Sequence, residues 1–140
     1  MSGRYLVARV AGQAVAFAAE RVGSIVDLPE VTPVPRSAHH VLGLAALRSW
    51  VVTVIDTAAA IGVGKGSTAA RRAVVVAVDG HDYALLVDTV GDVVALDVQP
   101  SDGGIPLGWS QVAAGQAVRD GERILVLDPA AILNVAAERA

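Results

Sequence analysis

Residues 41–56 read Val-Leu-Gly-Leu-Ala-Ala-Leu-Arg-Ser-Trp-Val-Val-Thr-Val-Ile-Asp. Two apolar runs flank a polar break at Arg48 and Ser49, and the second run is β-branched at every position from Val51 to Ile55. Such residues fit a pleated, half-buried surface, so the stretch predicts a β-hairpin with Arg48 at its turn. Arg48 is the only charge between His40 and Asp56. It is either a solvated turn arginine or a guanidinium held out for a partner.

Outward from that hairpin the chain repeats the same grammar. Arg4 to Val10 and Gln13 to Ala18 predict two strands around Ala11-Gly12, and Arg72 to Val78 and His81 to Val87 predict two more around Asp79-Gly80. Val93 to Leu96 predicts a further strand. Val112 to Val118 and Arg123 to Leu127 predict a last hairpin across Arg119-Asp-Gly-Glu122. Between these, Glu20 to Val26 spaces Val22, Ile25 and Val26 at i, i+3 and i+4, which predicts a short helix. Leu28 to Pro35, with Pro29, Pro33 and Pro35, reads as a stiff extended connector. Thr57 to Ile61 predicts one helical turn, residues 62–70 a flexible linker, Asp97 to Trp109 a loop, and Pro129 to Val135 a closing helix.

Composition narrows the function classes. A chain of 140 residues makes one domain, or two very small halves on one core, and buries roughly 68–70% of its unfolded surface. Hydrophobic residues are 54% but aromatics only 4%, so the core is expected to be small and aliphatic. A formal net charge of −3, with Arg71-Arg72 as the one basic pair, argues against a nonspecific grip on nucleic acid. The absence of cysteine excludes thiolate metal sites and disulfides, which suits the cytoplasm. No secretory signal is evident at the start, and no apolar run approaches the roughly 20 residues of a membrane helix, so a soluble protein without membrane insertion is expected.

Tests for chemistry come back empty. A phosphate loop at Gly64-Lys65 would need glycine at position 59 and a hydroxyl at 66, where Ala59 and Gly66 stand. His39 and His40 point to opposite sides of an extended chain, and they and His81 read as surface or connector residues rather than metal ligands. No serine stands in a nucleophile motif. Asp56 and Asp128 each follow an apolar strand, where a carboxylate caps the next turn of helix, while Asp88 holds a similar place. The expectation is no catalytic residue, no metal and no cofactor.

The chain also repeats itself. At an offset of 68 residues Gly12 aligns with Gly80, Ala16 with Ala84, Glu20 with Asp88, Val22 with Val90, Gly23 with Gly91 and Val26 with Val94. At an offset of 72, Val54-Ile55-Asp56 aligns with Val126-Leu127-Asp128. One module of about half the chain, 1–66 and then 67–140, therefore occurs twice within one domain, and many short strands with glycine turns favour small barrels. Whether the barrels share strands is left open. The faces at Val22, Ile25 and Val26 and at Val93 and Val94 are ordinarily core, yet equivalent faces of two packed modules could also meet in a groove that seats an amphipathic helix.

Residues 41–56 resemble the signature of the CheW-like family, the coupling proteins of bacterial chemotaxis. That pattern runs roughly apolar-x-Gly-apolar-x-Asn-Leu-Arg-Gly-x-apolar-apolar-Pro-apolar-apolar-Asp. Gly43, Leu44, Leu47, Arg48, Val51, Val52, Val54, Ile55 and Asp56 match it, whereas Ala46, Ser49 and Thr53 replace its Asn, Gly and Pro. The similarity runs from Tyr5 through Glu20 to Val26 and on to Leu133. It implies a mainly β fold of two five-stranded SH3-like barrels side by side with short helices. It further implies a non-enzymatic scaffold or adaptor of two-component signal transduction, joining the cytoplasmic tips of chemoreceptors to the regulatory domain of the histidine kinase CheA. By position, Val22, Ile25, Val31, Arg48 and Val93 match the part of that fold that faces the receptor. The resemblance implies a cytoplasmic protein recruited to receptor arrays. Two other readings stay open: a divergent CheW-like module of a pilus-type pathway or for an unrelated partner peptide, and a ligand-binding or hydrolytic barrel with a polar pocket.

Overall fold

The computed structural model describes residues 2–28, 31–34, 40–64, 72–101 and 103–139, with side chains as far as residue 137. Pro29, Pro35, His39, Arg71 and the linker residues Lys65 to Ala70 lie outside the described residues. Ten strands and three α-helices follow in order: β1 (Ser2–Val10), β2 (Gln13–Ala18), β3 (Val22–Asp27), β4 (Val41–Leu47), β5 (Trp50–Ile55), α1 (Thr57–Ile61), β6 (Arg72–Val78), β7 (His81–Leu86), β8 (Thr89–Asp97), α2 (Trp109–Val112), β9 (Ala113–Arg119), β10 (Glu122–Leu127) and α3 (Pro129–Arg139).

Turn chemistry explains the hairpins. At Ala11-Gly12, Asp79-Gly80 and Asp120-Gly121 both central residues take positive φ, from 50° to 80°, the twist that matches right-handed strands. At the β4–β5 turn only Arg48, at φ 52°, does so, because Ser49 stands where the other three have glycine. The expected helix at Glu20 to Val26 is not formed. A 3-10 turn at Ala19–Arg21 leads into strand β3. Its apparent helical spacing arises because Ile25 is an apolar residue on the exposed face and Ser24 a polar one on the half-buried face, so the apolar pattern does not follow the strand's alternation. Sequence reading also missed α2, a single turn.

The strands form two five-stranded sheets, ordered β8-β1-β2-β10-β9 and β3-β6-β7-β5-β4, here sheet A and sheet B. The four hairpins join neighbours along the chain. Every other pairing in the sheets, β1 with β8, β2 with β10, β3 with β6 and β5 with β7, joins the first half of the chain to the second. The sheets therefore do not follow the division between residues 66 and 67, and strands are shared between the halves. The ladders do not close into complete barrels. Each sheet curls until one bridge ties the segment beyond its first edge to its opposite edge: Thr32 with Leu44 in B and Gln99 with Gln116 in A, each with two backbone hydrogen bonds of 2.8–2.9 Å.

Gly43 and Gly115, 72 residues apart, stand at these crossings. Gly43 has φ 144°, and a Cβ there would run into the Thr32 carbonyl. A Cβ on Gly115 would lie 2.6 Å from Val98 Cγ1 and 2.8 Å from the Gln99 carbonyl. The glycine of residues 41–56 is thus fixed by chain closure.

Three apolar cores result. One lies inside sheet A (Ala14, Ala16, Leu96, Ala117, Ile124, Val126) and one inside sheet B (including Leu47, Val52, Val54, Val75, Leu86). The largest fills the space between the sheets under the helices and takes the opposite faces of the same strands, such as Leu6, Val15, Phe17, Val74, Leu85 and Leu125, with Ile132 from α3. Central strands buried on both faces explain the continuous Val and Ala runs. Phe17, the chain's one phenylalanine, is fully buried there, worth roughly 1.5–3 kcal/mol in water-to-core transfer. Asp56 and Asp128 cap as expected: the Ala59 and Ala130 N–H groups donate to their Oδ1 atoms at 3.2 and 3.0 Å. Asp88 instead accepts from the Gly12 N–H at 3.3 Å.

Candidate docking surface

The strand β3 carries alternating half-buried and exposed residues, so Ser24 and Val26 turn inward while Ile25 and Asp27 face out. Because sheet B curls, this edge comes opposite the β4–β5 turn. Between them lies an open groove of about 590 Å³ lined by Ser24, Ile25, Val26, Asp27, Ala46, Leu47, Arg48 and Trp50. Ile25 and Trp50 are 39% and 40% exposed, large apolar groups that the fold itself does not cover. Next to them Leu42, Leu44 and Val51 are also exposed on the β4–β5 hairpin. Scattered surface hydrophobes are ordinary, but a cluster beside a groove marks an interaction surface.

Two charged side chains line the groove. Asp27 is paired across the ladder with Arg72, Oδ1 to Nε at 3.3 Å. Arg48 makes no ion pair or side-chain hydrogen bond among the described residues, and it stands exposed in the turn at φ 52°. The groove therefore presents one uncompensated positive charge beside an aromatic ring and an isoleucine. Such a site can hold an apolar segment bearing an acid, and it offers nothing for bond-making chemistry. Among the described residues no three His, Asp or Glu side chains come together where a metal could bind. Of the histidines, His40 is buried, its carbonyl accepting from the Asp56 N–H at 2.8 Å, and His81 is exposed.

The expected receptor-facing residues are placed as follows. Ile25 and Arg48 share the groove. Val22 is half-buried and packs on the core between the sheets. Val31 is half-buried against the core of sheet B. Val93, 42% exposed, lies on β8 at the edge of sheet A and does not line this groove. Trp50 was missed. Its signal was available: one of five aromatic residues in the chain stands two positions after the turn arginine, at the start of the second strand of the hairpin.

Comparison with known proteins accords with this architecture. The CheW-like domain family matches residues 4–137. The chemotaxis protein CheW of Thermotoga maritima is 26% identical over 117 residues, 83% of this chain and 78% of that protein. That of Rhizobium meliloti is 33% identical over 104 residues, 71% of this chain and 67% of that protein. The crystal structure of the scaffolding protein TtCheW from Thermoanaerobacter tengcongensis superposes with a TM-score of 0.80 at 23% identity, covering 91% of this chain and 90% of that one, a likeness of fold. Among the described residues no helix is long and apolar enough to cross a membrane. A match over nearly the whole length, on this double-sheet fold, makes the chain a member of the CheW-like family of non-enzymatic chemotaxis scaffolds.

Proposed function

We propose that this chain couples the cytoplasmic signalling tips of chemoreceptors to the regulatory domain of CheA, acting in the cytoplasm at membrane receptor arrays. The observation that carries the proposal is the groove in which Ile25 and Trp50 flank the unpaired Arg48. An amphipathic receptor helix laid there buries its apolar face and sets an acid against the guanidinium. Val22, Val31 and Val93 extend the receptor-facing surface, and the kinase domain docks barrel to barrel on outer strands and hairpin tips.

The test is reconstitution of the purified protein with its cognate receptor signalling fragment and CheA, reading complex formation and kinase autophosphorylation. Stimulated phosphorylation that Arg48→Glu lowers tenfold or more, about 1.4 kcal/mol, supports the proposal. Binding to neither partner assigns the fold to another pathway, such as a pilus-type system. Ser49 in the turn, which leaves Arg48 alone at positive φ, is the feature that favours such divergence.

A further inference from the structure

Each half of the chain is a set of hairpins without a sheet. The first half supplies β1–β2 and β4–β5 with β3, and the second supplies β6–β7 and β9–β10 with β8, yet no ladder joins the two hairpins of either half. Both sheets are assembled by four pairings that run only between halves. The core between the sheets mixes the halves as well, Leu6 and Phe17 with Val74, Leu85 and Leu125. A single covalent connection links the halves, and its sequence between Ile61 and Arg72 contains Gly62, Gly64, Gly66 and Ser67.

We infer that two copies of this chain can exchange halves, forming a dimer in which each double-sheet unit is built from residues 1–64 of one copy and 72–140 of the other. Every pairing, bridge and core contact of the single chain is regenerated in such a dimer, including the Asp27–Arg72 pair, which becomes intermolecular. The equilibrium then turns on the connection alone. A short covalent connection gives each half an effective concentration near the millimolar range for its own partner, so the single chain dominates in dilute solution. Exchange takes hold when chains fold at high concentration, a recurrent outcome for repeat proteins. Once formed, both species persist, because separating the halves breaks all four ladders.

The experiment uses the full chain, whose lack of cysteine makes introduced thiols unique. Arg4 and Ala95 are exposed register partners on β1 and β8, one in each half. The Cα spacing of an antiparallel pair, about 4.5–5.5 Å, lies within disulfide range. Chains carrying Arg4→Cys and chains carrying Ala95→Cys are unfolded together, refolded at high concentration, oxidised and examined by light scattering and non-reducing electrophoresis. The expected result is a native-like dimer linked between the two chains, present after joint refolding, absent when the chains are refolded separately and then mixed, and rising with protein concentration. The double variant Arg4→Cys/Ala95→Cys in dilute solution should close its own disulfide within one chain. Only monomer mass after joint refolding overturns the inference. So does a dimer without the interchain bond while the double variant closes its own.

Discussion

The hairpins β4–β5 and β9–β10 occupy equivalent places 72 residues apart, and their tips have become opposites. In sheet A the tip reads Arg119-Asp120-Gly121-Glu122, and it is tied down. Arg9 Nη2 meets Glu122 Oε1 at 2.6 Å, Arg9 Nη1 donates to the Gly12 carbonyl at 3.1 Å, and Gln13 Nε2 donates to the Arg123 carbonyl at 3.2 Å. In sheet B the equivalents of Asp120, Gly121, Glu122 and Arg123 are Arg48, Ser49, Trp50 and Val51, and the equivalent of Arg9 is Ala77. The clasp has been replaced by apolar surface, with Val51 59% exposed. Two copies of one module, under one set of packing constraints, thus separate what folding requires from what a partner requires. Shared features such as Gly43/Gly115 and Asp56/Asp128 belong to the fold, and the divergent tip is the part the fold leaves free for the proposed docking.

The shared glycines give the largest effect. Gly43→Ala combines a strained positive φ, about 1–3 kcal/mol, with a clash against backbone at the closing bridge. We expect a loss of about 3 kcal/mol by denaturant unfolding. Gly115→Ala should lose less, since its φ is not positive and its one backbone contact, the Gln99 carbonyl at 2.8 Å, is less severe than the Thr32 carbonyl at Gly43. Equal losses would break the assignment of Gly43 as the more constrained crossing. Next comes Trp50→Ala, expected to weaken partner binding by about 2 kcal/mol, roughly thirtyfold, with the unfolding midpoint nearly unchanged. A large stability loss instead would return Trp50 to a structural role.

These positions also show what the sequence could and could not say. The hairpins were legible because Ala11-Gly12, Asp79-Gly80 and Asp120-Gly121 are local signals whose φ requirements few other residue pairs meet. The strand β3 was not, because exposed Ile25 and inward-facing Ser24 make Val22, Ile25 and Val26 look helical, and the correcting information lies in the pairing with β6, distant in sequence. The allocation of strands to sheets was equally hidden. It depends on parallel pairings only two or three residues long, Leu125 and Val126 with Val15 and Ala16, and Thr53 to Ile55 with Tyr83 to Leu85. Of the site, Arg48 and Ile25 were legible singly, but their meeting follows from sheet curvature, which no local pattern records.

The smallest effect expected is at the clasp itself. The hydrogen bond from Arg9 holds the Glu122 carboxyl below the usual carboxylate range. A carboxylate with a depressed folded pKa adds stability above its unfolded pKa and loses it as pH falls through the folded value. Glu122→Gln should therefore lower the melting temperature slightly at neutral pH, and wild type and variant should converge in acid. Both groups are exposed, so high salt should erase the difference as well. A difference that persists at low pH and high salt would mean that the tip of sheet A is held by something other than charge.

The order of strands along the chain gives the two sheets different birthdays during synthesis. Sheet B is complete in sequence once β7 ends at Leu86, whereas sheet A awaits β10, which ends at Leu127. At about 5–20 residues per second, β1 and β2 emerge several seconds before the strands that flank them. The first hairpin made is among the last to be covered, and Val15, Ala16 and Phe17, fully buried in the finished protein, travel longest without their neighbours. The nascent chain's demand on chaperones is therefore concentrated at its first two strands, while the groove-bearing sheet can assemble before translation ends.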